Sequence, residues 1–443
     1  MTQVSRAFRV ILDGRQVSTA ATLQALQAGF DTWPTALQQC CVLLQDPAAP
    51  RVGRLPRTTW PDLPRQLSGS TLKWIGYIAL ATSPSALGLR YPLFDGAEAP
   101  FLALWMPPPD YPQETAQAAA FTLSSWVATA SLLRAVWPTL GQPSAWSLLA
   151  IAQALEQRGV AFQWRVLAAS DRPPLPSGQT GPAPAVLAVV PHYQCQPWLH
   201  RCLTSLMQQT RPLDQIVVVD DGSPQPPLEL LADFPSVTLL ASSVNVGPYR
   251  LIQQVIEDTA YDYYCFQDAD DWSSCDRLAR LLATVRQTNA DLVGTQEIRV
   301  DAHTGALTLV SYPLDVNTAL RKKPGHPLLH PTSLVSRRLV MAVGGFATGL
   351  RFGGDTEFLL RAVWVGRIVN DVQFAYFRQK RPHSLTTQAS TGLGSPARQA
   401  LLSTLKGRAI ANQAARRRAD LNLAPLSRAA RVTLRHLGGP PLR

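Results

Sequence analysis

From residue 185 to about 285, short unbroken apolar runs alternate with stretches whose apolar residues recur at helical spacing. The runs are Ala185–Val190, Ile216–Val219, Val237–Leu240 and Tyr263–Phe266. Between them lie the stripes Leu199, Cys202, Leu203, Leu206, Met207, then Leu251, Ile252, Val255, Ile256, and after the last run Leu278, Leu281, Leu282, Val285. An unbroken apolar run reads as a strand buried on both faces, and recurrence at i, i+3, i+4 reads as a helix. Strands that alternate with helices in this way pair in parallel through right-handed crossovers. The expected fold class is therefore α/β. The first strand is expected to end at Pro191, with Pro197 in the first turn of the following helix.

At 443 residues the chain exceeds one ordinary core and calls for two or three domains. Apolar content of 46% against 16% charged residues is that of a globular protein. The stretch 171–184 is crowded with proline and glycine and reads as a linker. Before it, 1–170 is expected to be a separate α/β domain whose role the sequence does not reveal. Candidate strands there are Phe8–Leu12, Phe101–Trp105 and Val160–Leu167, with a helix over 144–158. The apolar stretch 118–137 is diluted by Ser, Thr and Arg134, so it is read as a core helix rather than a membrane span. The six cysteines form no C-x-x-C pair, and the N-terminus lacks the apolar stretch of a signal peptide. Both features point to reduced thiols and a cytoplasmic protein.

The formal charge of +11 is unevenly placed. Residues 395–443 carry ten basic side chains and one acid, a surplus of nine that leaves only two for the rest. Residues 391–443 are read as a basic helical tail, able to meet anionic lipid headgroups at the inner face of a membrane. No aromatic residues interleave with Arg416-Arg417-Arg418, which argues against nucleic acid.

Two strand ends carry acids. Ile216–Val219 runs into Asp220-Asp221-Gly222-Ser223, and Tyr263–Phe266 into Gln267-Asp268-Ala269-Asp270-Asp271. The carboxyl end of a parallel strand is where open α/β sheets hold ligands. Three acids in four positions suit a hard cation, Mg²⁺ or Mn²⁺, that bridges phosphate oxygens. The alternatives are a turn at Asp-Gly and a solvated acidic helix start. A third acid, Asp355, follows Gly353-Gly354 at the start of a helical stripe and is a candidate general base, or simply a helix-start acid. His326 and His330 sit among prolines and are read as loop residues. His383 is the better third-ligand candidate.

Residues 184–390 resemble the family 2 nucleotide-sugar glycosyltransferases. The matching pieces stand in the family's order: Val189-Val-Pro-His-Tyr193, Ser205-Leu-Met-Gln-Gln-Thr210, Val217-Val-Val-Asp-Asp-Gly-Ser223, Asn245-Val-Gly247, Phe266-Gln-Asp-Ala-Asp-Asp-Trp272, Val343-Gly-Gly-Phe346 with Gly354-Asp-Thr-Glu-Phe358, and Arg381-Pro-His-Ser-Leu-Thr386. The resemblance implies a GT-A fold, a Rossmann-like, mostly parallel sheet flanked by helices over 185–390. It also implies inversion at the anomeric centre. Pro191, Tyr193, Asp220, Asp221 and Asp268 would bind the nucleotide sugar, a UDP-sugar first among donors. Asp268 and Asp270 would hold Mn²⁺ or Mg²⁺, and Asp355 would be the catalytic base. The acceptor would be a glycan or a lipid-linked sugar. Gln194 departs from the Asn often found in the family, and Gly354 from its common Glu. Two other readings compete: a nucleotidyltransferase, which leaves Asp355 unexplained, and a non-catalytic scaffold or binding module that keeps only the fold.

Overall fold

The computed structural model describes residues 8–13, 41–44, 57–58, 62–63, 72–79, 99–105, 126–137, 148–167 and 183–443, apart from 304–305 and 383. The chain divides into two compact units, Met1–Pro174 with Thr304–Thr308, and Leu175–His303 with Leu309–Arg443.

In the first unit the described strands are β1 (Phe8–Asp13), β2 (Cys41–Leu44), β3 (Arg57–Thr58), β4 (Trp74–Ala79), β5 (Phe101–Trp105), β6 (Trp126–Thr129) and β7 (Gln163–Leu167). They form one sheet in the order β3-β2-β1-β4-β6-β5-β7. β6 runs antiparallel to both neighbours, and the other pairs are parallel. The stretch read as a core helix differs in its described part: Trp126–Thr129 is a strand and only Ala130–Val136 is helical. Trp126, Val127 and Ala128 are wholly buried between two sheet neighbours, a setting that suits aromatic and β-branched residues. The expected helix over 144–158 is present as Leu148–Glu156; residues 144–147 lie outside the described residues.

A second sheet contains β8 (Val186–His192), β9 (Gln215–Asp220), β10 (Val237–Ser242), β11 (Tyr263–Phe266), β12 (Trp272–Ser273), β13 (Leu292–Asp301), β14 (Leu307–Val310), β15 (Leu334–Ser336), β16 (Ile368–Lys380) and β17 (Leu434–Gly438). Their sheet order is β12-β16-β13-β15-β11-β8-β9-β10-β17, with β14 beside β13. The centre, β11-β8-β9-β10, is parallel, and antiparallel strands flank it. The apolar runs are unbroken because both faces are covered. Val186, Ala188 and Val190 pack on Leu199, Leu203 and Leu206 of the helix Gln196–Met207 and on Leu278 and Leu281 of the helix Arg277–Thr288. Leu187 and Val189 face the other way, onto Leu251 and Val255 of the helix Pro248–Asp258. Each fully buried Leu or Val here contributes about 1.5–3 kcal/mol of transfer free energy. The strand β8 does not stop before Pro191 but runs through it to His192.

The basic tail is α-helical only over Pro396–Ala414, with a short 3-10 turn at Arg418–Asp420. Beyond it the chain extends along the unit and ends as β17, which pairs antiparallel with β10. The reason is the open edge of β10, whose backbone groups would otherwise lack ladder partners. Beyond β17 the chain is pinned as well: Thr238 Oγ1 donates to the Pro440 carbonyl at 2.6 Å, and Gln215 Nε2 to that of Pro441 at 2.9 Å. Several tail arginines serve the fold. Arg398 donates to the Thr391 carbonyl, Arg428 to Gly344, and Arg408 to Ala424 and to Glu357. Among the described residues no helix is long and apolar enough to cross a membrane.

Candidate active site

The parallel centre brings the carboxyl ends of β8, β9 and β11 to one edge of the sheet, and the acidic motifs stand there. Asp220 closes β9, fully buried. His192 Nε2 accepts the Cys195 N–H at 3.1 Å, which leaves Nδ1–H to donate to Asp220 Oδ1 at 2.7 Å. Ser223 N–H donates to Asp220 Oδ2 at 2.9 Å. Burial opposes the Asp220 charge, but these hydrogen bonds outweigh it and lower its pKa.

Asp221 accepts the N–H groups of Val246 at 2.7 Å and Gly247 at 2.9 Å. Burial still dominates there and raises its pKa to about 6. The two carboxylates therefore build a turn that ties β8, β9 and the Asn245–Gly247 loop together. Gly222 completes it: φ is +70°, and a Cβ there would lie 2.6 Å from the Val244 carbonyl carbon. The carboxylates of this turn are thus engaged rather than free, and Tyr193 is exposed beside it. Gln194 takes φ of +51°, a left-handed conformation that Asn adopts more readily than Gln.

Asp268, Asp270 and Asp271 follow β11, and one oxygen from each lies within 4.8 Å of the others. Asp220 and Asp221 do not belong to this group. Asp271 is buried and structural: Tyr376 Oη–H donates to it at 2.8 Å and Gln379 N–H at 2.7 Å. The same tyrosine oxygen accepts the Asp268 N–H at 3.1 Å, which fixes the loop. Asp268 reaches solvent, yet protein walls crowd it. Lost hydration and the facing Asp270 push its pKa up to about 7. Asp270 Oδ2 accepts from Arg381 Nε at 2.5 Å, and that guanidinium lies 4.4 Å from the Trp198 ring centre. Asp268 and Asp270 present neighbouring carboxylate oxygens that could hold a divalent cation, while Asp271 is taken up by Tyr376 and Gln379. His383 lies outside the described residues.

Asp355 stands in the first turn of the helix Gly354–Ala362. Its Oδ1 accepts the Thr356 N–H at 2.8 Å, and His326 Nε2 lies 3.7 Å from Oδ2. Burial works against its charge, but His326, His330, the Thr356 N–H and the Tyr249 hydroxyl together lower its pKa. The carboxyl is thus ionised at neutral pH. Its charge also contributes to the raised pKa of Asp268.

The two histidines read as loop residues therefore sit beside the candidate base. His326 Nδ1 is 3.0 Å from Thr356 Oγ1. The His330 ring stacks on Phe266 at 4.2 Å, and its pKa falls to about 4 through burial. The prolines around them hid this, because no periodicity could be assigned to the segment. The only available signal was the rarity of the residue type, with seven histidines in the chain.

Comparison with known proteins bears on these motifs. A family model described as Glycosyl transferase family 2 matches residues 187–343. That stretch matches the family, and the rest of the chain lies outside the match. The chain is also similar to the uncharacterized glycosyltransferase EpsJ of Bacillus subtilis (strain 168), 26% identical over 223 residues, which is 46% of this chain and 63% of that protein. It is 28% identical over 110 residues to the glycosyltransferase GlyA of Streptococcus pneumoniae serotype 4, covering 24% of this chain and 16% of GlyA. The chain thus spans less than two thirds of these curated relatives. Among solved structures, S. aureus TarS 1-349 in complex with UDP-GlcNAc superposes with a TM-score of 0.42 at 19% identity, over 52% of this chain and 72% of that one. The family 2 match ends at residue 343, before Asp355.

Proposed function

We propose that the protein is a metal-dependent inverting glycosyltransferase that moves a sugar from a nucleotide-sugar donor to a hydroxyl of a glycan or lipid-linked acceptor. The observation that carries this reading is the Asp268–Asp270–Asp271 cluster after β11, together with Asp355 in the first turn of a helix with His326 Nε2 3.7 Å from its Oδ2. In the proposed step Asp355 takes the proton of the acceptor hydroxyl as that oxygen attacks the anomeric carbon. The bond from that carbon to the donor phosphate breaks, and the nucleoside diphosphate leaves with the electron pair. A divalent cation, Mn²⁺ or Mg²⁺, on Asp268 and Asp270 would neutralise the charge that builds on the leaving diphosphate. Pro191 and Tyr193, on the loop shaped by Asp220 and Asp221, would line the nucleotide pocket.

UDP is the nucleotide to test first. Calorimetry of UDP binding with and without Mn²⁺ is expected to show tighter binding with the metal, and Asp268→Asn to remove that increment. Equal UDP affinity in both conditions, with no hydrolysis of any nucleotide sugar in a panel, would instead favour the non-catalytic scaffold.

The reading places the enzyme at the cytoplasmic face of a membrane, in polysaccharide or cell-surface glycan synthesis. The exposed Arg416, Arg417 and Arg418 support contact with anionic headgroups, at about 1 kcal/mol for each basic residue near the surface. Reversing all three to Glu is expected to abolish co-sedimentation with phosphatidylserine vesicles at low salt. Undiminished co-sedimentation would exclude that contact.

A further inference from the structure

We propose that Arg381 and a divalent cation are competing partners of Asp270, so that the guanidinium keeps cation affinity low until a nucleotide diphosphate binds beside it. The inference rests on Asp268 and Asp270 being the cation's ligands, as the proposed function has them. Arg381 directly follows β16, and Asp270 lies in the loop after β11. Arg381 Nε donates to Asp270 Oδ2 at 2.5 Å. That length belongs to a strong, charge-assisted hydrogen bond.

Two further contacts fix the guanidinium in its slot. Nη2 lies 3.1 Å from Cys195 Sγ, and Cζ lies 4.4 Å from the centre of the Trp198 ring. Cys195 stands at the start of the helix Gln196–Met207, and Trp198 lies in its first turn. Neither neighbour carries charge: burial pushes the Cys195 thiol up to about 12. Of the three contacts, Asp270 alone answers the positive charge. The two side chains are 13% and 16% exposed, so water screens the pair only in part.

A cation sits about 2.0–2.1 Å from a carboxylate oxygen in a Mg²⁺ site. With Nε 2.5 Å from Oδ2, a cation on that same oxygen would stand within about 5 Å of the guanidinium nitrogen. Positive charges at that separation repel strongly where screening is incomplete. Asp268 and Asp270 supply two negative charges, whereas the cation and Arg381 together bring three positive ones. Asp271 is already taken up by Tyr376 and Gln379. A diphosphate restores the balance, and cation and guanidinium can then stay together. Cation and nucleotide are therefore coupled, each raising the affinity for the other.

The test is Arg381→Met, which keeps an apolar contact with Trp198 and removes the charge and its donors. Electron paramagnetic resonance of free Mn²⁺, with the full chain and no nucleotide, is expected to show roughly tenfold tighter Mn²⁺ binding than in the wild type. A merely structural role would loosen the loop and weaken binding, so unchanged or weaker affinity overturns the proposal. Arg381→Lys keeps the charge and is expected to bind Mn²⁺ like the wild type; affinity as high as in Arg381→Met would overturn the charge argument. The factor by which UDP raises Mn²⁺ affinity is expected to shrink in Arg381→Met, and an undiminished factor also overturns it.

A second readout uses the wild type. The nitrogen-15 signal of the Arg381 Nε–H, assigned by its loss in Arg381→Lys, is expected to move as Mg²⁺ is added. A signal that stays in place while Mg²⁺ binds overturns the proposal. A wild type that binds Mn²⁺ with UDP and turns over a nucleotide sugar, beside an Arg381→Met that binds Mn²⁺ no tighter, overturns this proposal alone. Uptake of no Mn²⁺ by either form, with or without UDP, removes both this proposal and the metal from the proposed function.

Discussion

Asp355→Asn is expected to lower kcat by roughly 10²–10⁴-fold, the usual contribution of a positioned general base, while UDP affinity stays unchanged. The amide matches the carboxyl in shape and still accepts the Thr356 N–H, now made at 2.8 Å, so the helix start is preserved. What it cannot do is take a proton. Initial rates alongside calorimetry separate the two functions. Turnover that survives the substitution would remove Asp355 from the chemistry and leave the acidic cluster without a partner for acceptor activation.

The largest stability effect is expected at Arg361. Its guanidinium holds the buried Glu357 at 2.6 and 2.9 Å and also donates to the carbonyls of Val343 and Gly345. Both residues of the pair are almost wholly inaccessible to solvent. Arg361→Met would leave Glu357 with only Arg408 at 3.3 Å and the Leu426 N–H, both from the tail. Breaking a buried pair from one side costs about 3–5 kcal/mol, because the remaining charge has lost its compensation. The denaturant midpoint is expected to fall accordingly. The double variant Glu357→Gln, Arg361→Met should recover part of the loss, since no unpaired buried charge then remains. An unaltered midpoint in Arg361→Met would show that Arg408 alone suffices.

The same contacts decide how the tail can be probed. Cutting the chain near Ser395 would strip Glu357 of Arg408 and Leu426 and uncover the edge of β10. A truncated protein would then report on folding and not on affinity for lipid. Charge reversal at exposed arginines avoids this.

How much of the site was readable follows from which residues act through local chemistry. The acids after β9 and β11 stood out because each ends an apolar run, a one-dimensional pattern. Their division of labour did not. Asp271 looks like Asp270 in the sequence, yet it is locked by Tyr376 and Gln379, about a hundred residues away. Asp220 and Asp221 read as ligand groups, yet their oxygens satisfy backbone N–H groups and His192. His326 and His330 carried no periodicity, so only their approach to Asp355 gives them meaning. In the stretch 118–137, composition suggested a helix, whereas pairing of Trp126–Thr129 with β4 and β5 makes a strand. There, sheet partners outweighed local preference.

The sequence by itself determined the α/β class, the order of the four parallel strands and three long helices from Val186 to Thr288, and the acidic ends of the strands. Hydrophobic periodicity is a local property, written residue by residue, and burial on both faces follows from it directly. Only the tertiary structure decided which carboxylates are left for a cation, what surrounds Asp355, and where the basic tail ends. Each of those depends on side chains far apart in the chain meeting at a few ångströms, and no spacing within one segment encodes such a meeting.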